Sequence, residues 1–121
     1  MGLPMSLTFS RYTIFCRDLA ASLAFYRDTL GLVIVEEKTL SGPMAGGLLQ
    51  LPACTMRIAL LAADSDGPVI VGLFEISDTP LQQLQPPLGQ PAHGQSALVL
   101  VTDRFDALHA ALVQGGYRFL T

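Results

Sequence analysis

Residues 17–32, RDLAASLAFYRDTLGL, preceded by SRYTIFC at residues 10–16, decide how this chain begins to fold. The earlier stretch is rich in β-branched and aromatic side chains and reads as a strand. Asp18 then stands where a helix N-cap belongs, and Gly31 where a helix ends in a left-handed turn. Between them Leu19, Leu23, Tyr26 and Leu30 fall at i, i+4, i+7 and i+11, a single apolar stripe to lay on a sheet. Ala20, Ala21 and Ala24 add helix propensity. The spacing predicts a strand followed by a helix over residues 19–30.

Working outward, residues 32–40 (LVIVEEKTL) read as a second strand and residues 41–47 (SGPMAGG) as a flexible connection, running into a short extended piece at 48–52. Residues 56–62 (MRIALLA) form a third strand. Asp64-Ser65-Asp66-Gly67-Pro68 is a turn signal, so residues 69–77 (VIVGLFEIS) should return antiparallel as a fourth. Residues 79–94 (TPLQQLQPPLGQPAHG) lack periodicity and read as a linker. The pattern then restarts. Residues 96–101 (SALVLV) resemble a strand, and Asp103 is placed to cap a helix whose stripe is Phe105, Leu108, Ala111 and Leu112. Gly115-Gly116 closes that helix, and residues 117–120 begin another strand. RDLAASLAFYRDTLGL and TDRFDALHAALVQGGY are thus two copies of one strand-to-helix unit, an internal repeat.

The 121 residues suffice for one domain over 1–121, divided into a first module (7–78), a linker (79–94) and the start of a second module (95–121). Only 14% of residues are charged, against roughly 25% in an average soluble domain, so apolar surface is expected to remain for a partner or ligand. The net charge of −3, with no Lys/Arg cluster, argues against nucleic acid. The longest apolar runs are too short to span a bilayer, and no secretory signal is read at residues 1–7. Cys16 and Cys54 lack metal-ligand spacing and read as reduced thiols, so a cytoplasmic location is expected.

These residues, above all RDLAASLAFYRDTLGL behind its strand, resemble the opening of the vicinal-oxygen-chelate superfamily, which includes glyoxalase I, bleomycin-resistance proteins and extradiol dioxygenases. The resemblance implies an α+β fold in which paired βαβββ modules form an incomplete barrel around a cleft. Here the second module is truncated: a full copy would need two further strands after Thr121. Metal-using members bind a divalent ion in the cleft through His, Gln or Glu. By alignment to the helix starts, the ligand positions fall on Arg11, eight residues before Leu19, on Gly72, and on Ser96, seven before Asp103. Arg is a permanent cation and Gly has no side chain, so no metal and no other cofactor is expected. Glu75, Gln95, His93 and His109 are off register for a complete ligand set.

Period two places Arg11, Thr13 and Phe15 on one face of the first strand, and Tyr12, Ile14 and Cys16 on the helix-packed face. The same rule lines the cleft with Ile70, Gly72 and Phe74 from the fourth strand, and with Ser96 and Leu98 from the second module. That wall suits an apolar or aromatic organic ligand with an anionic or carbonyl group near Arg11. The expectation is a metal-free small-molecule binder working as a homodimer, with no catalytic residue assigned. The alternatives are a glyoxalase-like lyase or isomerase, or a dioxygenase, with misregistered ligands, and a non-catalytic dimerisation domain.

Overall fold

Four strands form one mixed sheet in the computed structural model, which describes residues 6–47, 49–84 and 91–119. In chain order the elements are β1 (Tyr12–Cys16), α1 (Leu19–Leu23), β2 (Val33–Gly42), α2 (Pro43–Gly47), β3 (Cys54–Ala62), β4 (Val69–Ile76) and α3 (Phe105–Gln114). The sheet order is β1-β4-β3-β2, with β1 parallel to β4 and β3 antiparallel to both its neighbours. This is a βαβββ unit whose sheet stays open at β1 and β2.

The crossover from β1 begins with α1, whose start is held twice. Asp18 accepts a hydrogen bond from the Ala21 N–H at 3.2 Å, the cap read from sequence. Glu75 of β4 reaches across and accepts from the Leu19 N–H at 2.7 Å, while its other oxygen receives the Arg57 guanidinium of β3 at 3.4 Å. One carboxylate therefore ties helix, β4 and β3 together, and its charge suits the positive end of the helix. The helix spans the expected stretch, but Ala24–Thr29 is π-helical. The Leu30 N–H bonds to the Phe25 carbonyl, and the Thr29 hydroxyl donates to the Ala24 carbonyl, so the coil widens by one residue per turn.

Alternation along β3 and β4 divides the sheet into two apolar faces. Leu19 and Leu23 of α1 pack on Ala59, Leu61, Val71 and Leu73, and Ile14, Cys16, Tyr26 and Ile34 complete this cluster. Burying each Leu or Val side chain contributes about 1.5–3 kcal/mol. The opposite face carries Met56, Ile58 and Leu60, with Leu49, Val69, Phe74 and Ile76 against them.

Four sequence expectations are corrected. Residues 43–47 are a short helix rather than a flexible connection: Pro43 starts it with φ already suited to a first helical turn, and Gly46 packs so tightly on the Pro52 carbonyl that no Cβ would fit. Of residues 48–52, read as irregular or extended, Leu49 and Gln50 form a turn, and Leu48 lies outside the described residues. Residues 96–101 make no ladder, because among the described residues no strand offers them a bonded edge; residues 117–119 are likewise unpaired, and Leu120 lies outside the described residues. Nor does Asp103 cap α3: the N-cap is Arg104, without a side-chain bond, and the Thr102 hydroxyl accepts the Arg104 N–H.

Candidate functional site

The sheet face away from α1 is built around an absence. Gly72 lies opposite Thr13 on β1 and Leu60 on β3, where any other residue would project into the middle of the face. A Cβ at Gly72 would stand 3.1 Å from the Phe74 ring, 3.2 Å from Leu60 Cδ2 and 3.3 Å from Arg11 Cδ. The stem of Arg11 therefore crosses from the edge strand into the notch that Gly72 leaves. Phe15 and Phe74 are neighbours in the parallel register, and their rings meet edge to face at 5.7 Å. Arg11, Gly72 and Phe74 converge, Phe15 adjoins them through Phe74, and Thr13 stands exposed beside Gly72.

The remaining sequence-derived positions lie elsewhere. Strict alternation put Ile70 on the face of Gly72 and Phe74, but the register shifts between Leu61 and Ala62. Ile70 packs with the helix-side cluster, and Val69 takes the open side. Ser96 bonds through its hydroxyl to the Tyr12 hydroxyl at 2.5 Å, and Leu98 packs with the helix-side cluster. In one copy of the chain, neither stands with Arg11. His93 lies in a turn, the Gln95 side chain accepts from the Ala92 N–H at 2.9 Å, and His109 stacks between Phe105 and Phe119.

Sequence reading missed the far edge of the open face. Glu36 pairs with Leu60, Lys38 with Ile58 and Leu40 with Met56, and cross-strand partners share a face. The bulge between Ile34 and Glu36 brings these three side chains to the open side. Glu36 and Lys38 form a half-exposed ion pair at 3.7 Å. One row thus reads Phe15, Phe74, Ile58, Lys38 across four strands, and the next Thr13, Gly72, Leu60, Glu36. A run of adjacent apolar residues ahead of a Glu-Glu pair was the available hint of a bulge, but not of its position.

Charge on this face is uneven. The ion pairs among the described residues are Arg27–Asp28, Lys38–Glu36 and Arg57–Glu75, so Arg11 has no carboxylate within 4.0 Å there. Glu75 is turned to the other face and occupied. Burial pushes the Cys16 thiol above its ordinary pKa, which disfavours a thiolate nucleophile, and the thiol donates to the Phe74 carbonyl at 3.6 Å. Among the described residues no three His, Cys, Asp or Glu side chains are grouped to hold a metal ion. The chemistry of the three ligand positions does not fit one either: a guanidinium stem fills the space over Gly72, and Ser96 is bonded to Tyr12.

Comparison with known proteins agrees with the sequence resemblance. The family model described as the Glyoxalase/Bleomycin resistance protein/Dioxygenase superfamily matches residues 8–121. Among solved structures, a glyoxalase family protein from Bacillus cereus superposes with a TM-score of 0.74 at 17% identity, over 96% of this chain and 76% of that one. The protein SMU.1112c gives a TM-score of 0.51 at 17% identity, over 93% of this chain and 77% of that one. No curated protein is similar enough to count as a relative.

The notch can be tested by filling it. Gly72→Ala should lower stability by about 1–2 kcal/mol, because Phe74 and Leu60 belong to the packed face and yield little. The cost should shrink in an Arg11→Ala background, where one of the three neighbours is gone. Urea unfolding of the two single variants and the double variant measures this. A Gly72→Ala protein as stable as the parent would mean that the notch is not filled as described.

Proposed function

The chain belongs to the glyoxalase/bleomycin-resistance/dioxygenase superfamily, and we propose that it serves there as a metal-free binding protein for an apolar or aromatic organic molecule carrying an anionic or carbonyl group. The observation that carries this reading is Arg11 lying over Gly72 beside the Phe74 ring. A cation without a carboxylate partner among the described residues, set on an apolar floor, offers an acidic group charge-assisted hydrogen bonds. The aromatic pair supplies area for a flat body. The same arrangement argues against the lyase and dioxygenase alternatives, since Lewis-acid activation of vicinal oxygens needs a donor set that Arg11, Gly72 and Ser96 do not provide.

The reading includes a homodimer that completes the cleft. Residues 96–119 leave large apolar side chains in water: Val101 is 96% exposed, Val99 81% and Phe105 66%. Exposed apolar area of this extent calls for a covering surface. A second copy supplies one by two-fold symmetry, with each copy's residues 96–101 brought to the other's open face. Ser96 and Leu98 would join the ligand wall from across the interface by exchanging their contacts with Tyr12 and the helix-side cluster of their own chain for those of the partner, a swap of modules between copies. No helix among the described residues is long and apolar enough to cross a membrane. Cys16 and Cys54 are both unpaired, which supports a reducing, cytoplasmic setting.

Anilinonaphthalene sulfonate, an aromatic body with one anionic group, is a suitable probe. Arg11→Ala should weaken its binding by about 1–3 kcal/mol, and Arg11→Lys should restore part of the loss, since Lys lacks the planar fork. Fluorescence titration yielding equal affinities in all three proteins would contradict the anchor. Sedimentation at low micromolar concentration should show a dimer of the 121-residue chain, whose interface buries about 1,200 Å² or more. A stable, soluble monomer would contradict the dimer.

A further inference from the structure

The open face does not end at Phe15. Beyond the C-terminal ends of β1 and β4 lies a cavity of about 890 Å³, lined by Phe15 and Ile76 from the sheet and by Arg17, Leu81, Gln83 and Leu84. Phe15 meets Phe74 edge to face, and Ile76 packs on the same apolar face, so the cavity continues the floor on which Arg11 lies. Its outer wall is the first part of the segment that leads away from β4. That segment is therefore part of the site's shape as well as a connection.

Arg17 resembles Arg11 in one respect that matters. It is a cation on the cavity wall with no carboxylate within 4.0 Å among the described residues, and it donates only to the neutral Gln83 side chain, at 3.3 Å. Two acids line the same cavity, and both are occupied. Glu75 takes the Leu19 N–H and Arg57. Asp78 accepts the Thr55 N–H at 2.6 Å, which holds its carboxyl below the usual carboxylate range. Arg17 is the charged group left available to a ligand.

We infer that Arg17 is a second anionic anchor of the same cleft, so that the molecule bound is elongated and carries an acidic group at each end. Arg11 and Arg17 flank the two ends of β1, six residues apart, which sets their Cα atoms at most roughly 20 Å apart at about 3.3 Å per residue. Arg11 leans inward over Gly72, and the Arg17 side chain can turn towards Phe15, which shortens the span between guanidinium groups to roughly 10–15 Å. Phe15, Phe74 and Ile76 pave the interval. A long dicarboxylate, or an aromatic body with an acid at both ends, matches that pattern, whereas a short diacid cannot reach both cations.

The inference rests on the cleft reading above, and one set of titrations separates the two. Dodecanedioate and dodecanoate have the same chain and differ in the second carboxylate. In isothermal titration of the full chain, dodecanedioate should bind about ten-fold more tightly than dodecanoate. Arg17→Gln should abolish that advantage, bringing dodecanedioate to within about two-fold of dodecanoate measured in the same variant. Arg17 is exposed and bonded only to Gln83, so the variant is expected to fold. Hexanedioate should show no such advantage over hexanoate. If Arg11→Gln weakens both long acids but the diacid has no advantage, or keeps it in Arg17→Gln, the second anchor is overturned alone. If Arg11→Gln leaves both affinities unchanged, the cleft reading falls and this inference with it.

Discussion

Arg11 can reach the middle of the sheet because Gly72 presents no Cβ there, and Gly72 can stand there because Leu60 and Phe74 close over it from β3 and β4. The parallel pairing of β1 with β4 sets this up by placing Thr13, two residues after Arg11, directly opposite Gly72. Parallel neighbours need a crossover, and here it includes α1, so the helix start also fixes where β1 runs. Glu75 joins those requirements, since the carboxylate that accepts the Leu19 N–H also meets Arg57 across the strands. The open face and the helix-packed face are two sides of the same short strand: Gly72, Phe74 and Ile76 on one, Val71, Leu73 and Glu75 on the other.

The two halves of the chain differ in how their apolar residues are used. In the first half Leu61, Val71 and Leu73 are fully buried between sheet and helix. In the second half the same kind of strand-to-helix pattern has, among the described residues, no sheet of its own to pack on. It touches the first half through Tyr117, which follows α3 and whose ring lies 5.0 Å from Phe25, and through Ser96 and Leu98 of its extended segment. Hydrophobic burial is nearly proportional to area removed from water, so a unit left this exposed gains most of its stability from whatever covers it.

Local signals were legible in the sequence, and long-range ones were not. Asp18 and Gly31 bracketed the first helix because caps act within a few residues. The alternation of β3 and β4 gave their faces correctly where the ladder is regular, and the parity of Arg11, Thr13 and Phe15 needed no partner to be read. The bulges at Ile34/Glu36 and Leu61/Ala62 lie beyond such reading, because a register shift is a property of two strands and moves every later side chain to the other face. For that reason Ile70 was placed on the wrong face, and Glu36, Lys38 and Leu40 were not placed at all. Residues 96–101 have the composition of a strand, yet a strand is made by its neighbour, and none of the described residues provides one. The contact of Arg11 with Gly72 joins residues far apart in the sequence and could be placed only by structure.

The Arg11 stem filling the notch at Gly72, a position that the family resemblance aligns with a metal ligand, is the centre of this account. Elemental analysis tests it most directly, on protein expressed with Zn, Ni, Mn and Fe supplied and then dialysed against a mild chelator. The account predicts far less than one equivalent of any of these metals per chain, because Arg11, Gly72 and Ser96 supply no donor set. One equivalent retained through dialysis would contradict it, and would place ligands somewhere other than the positions described.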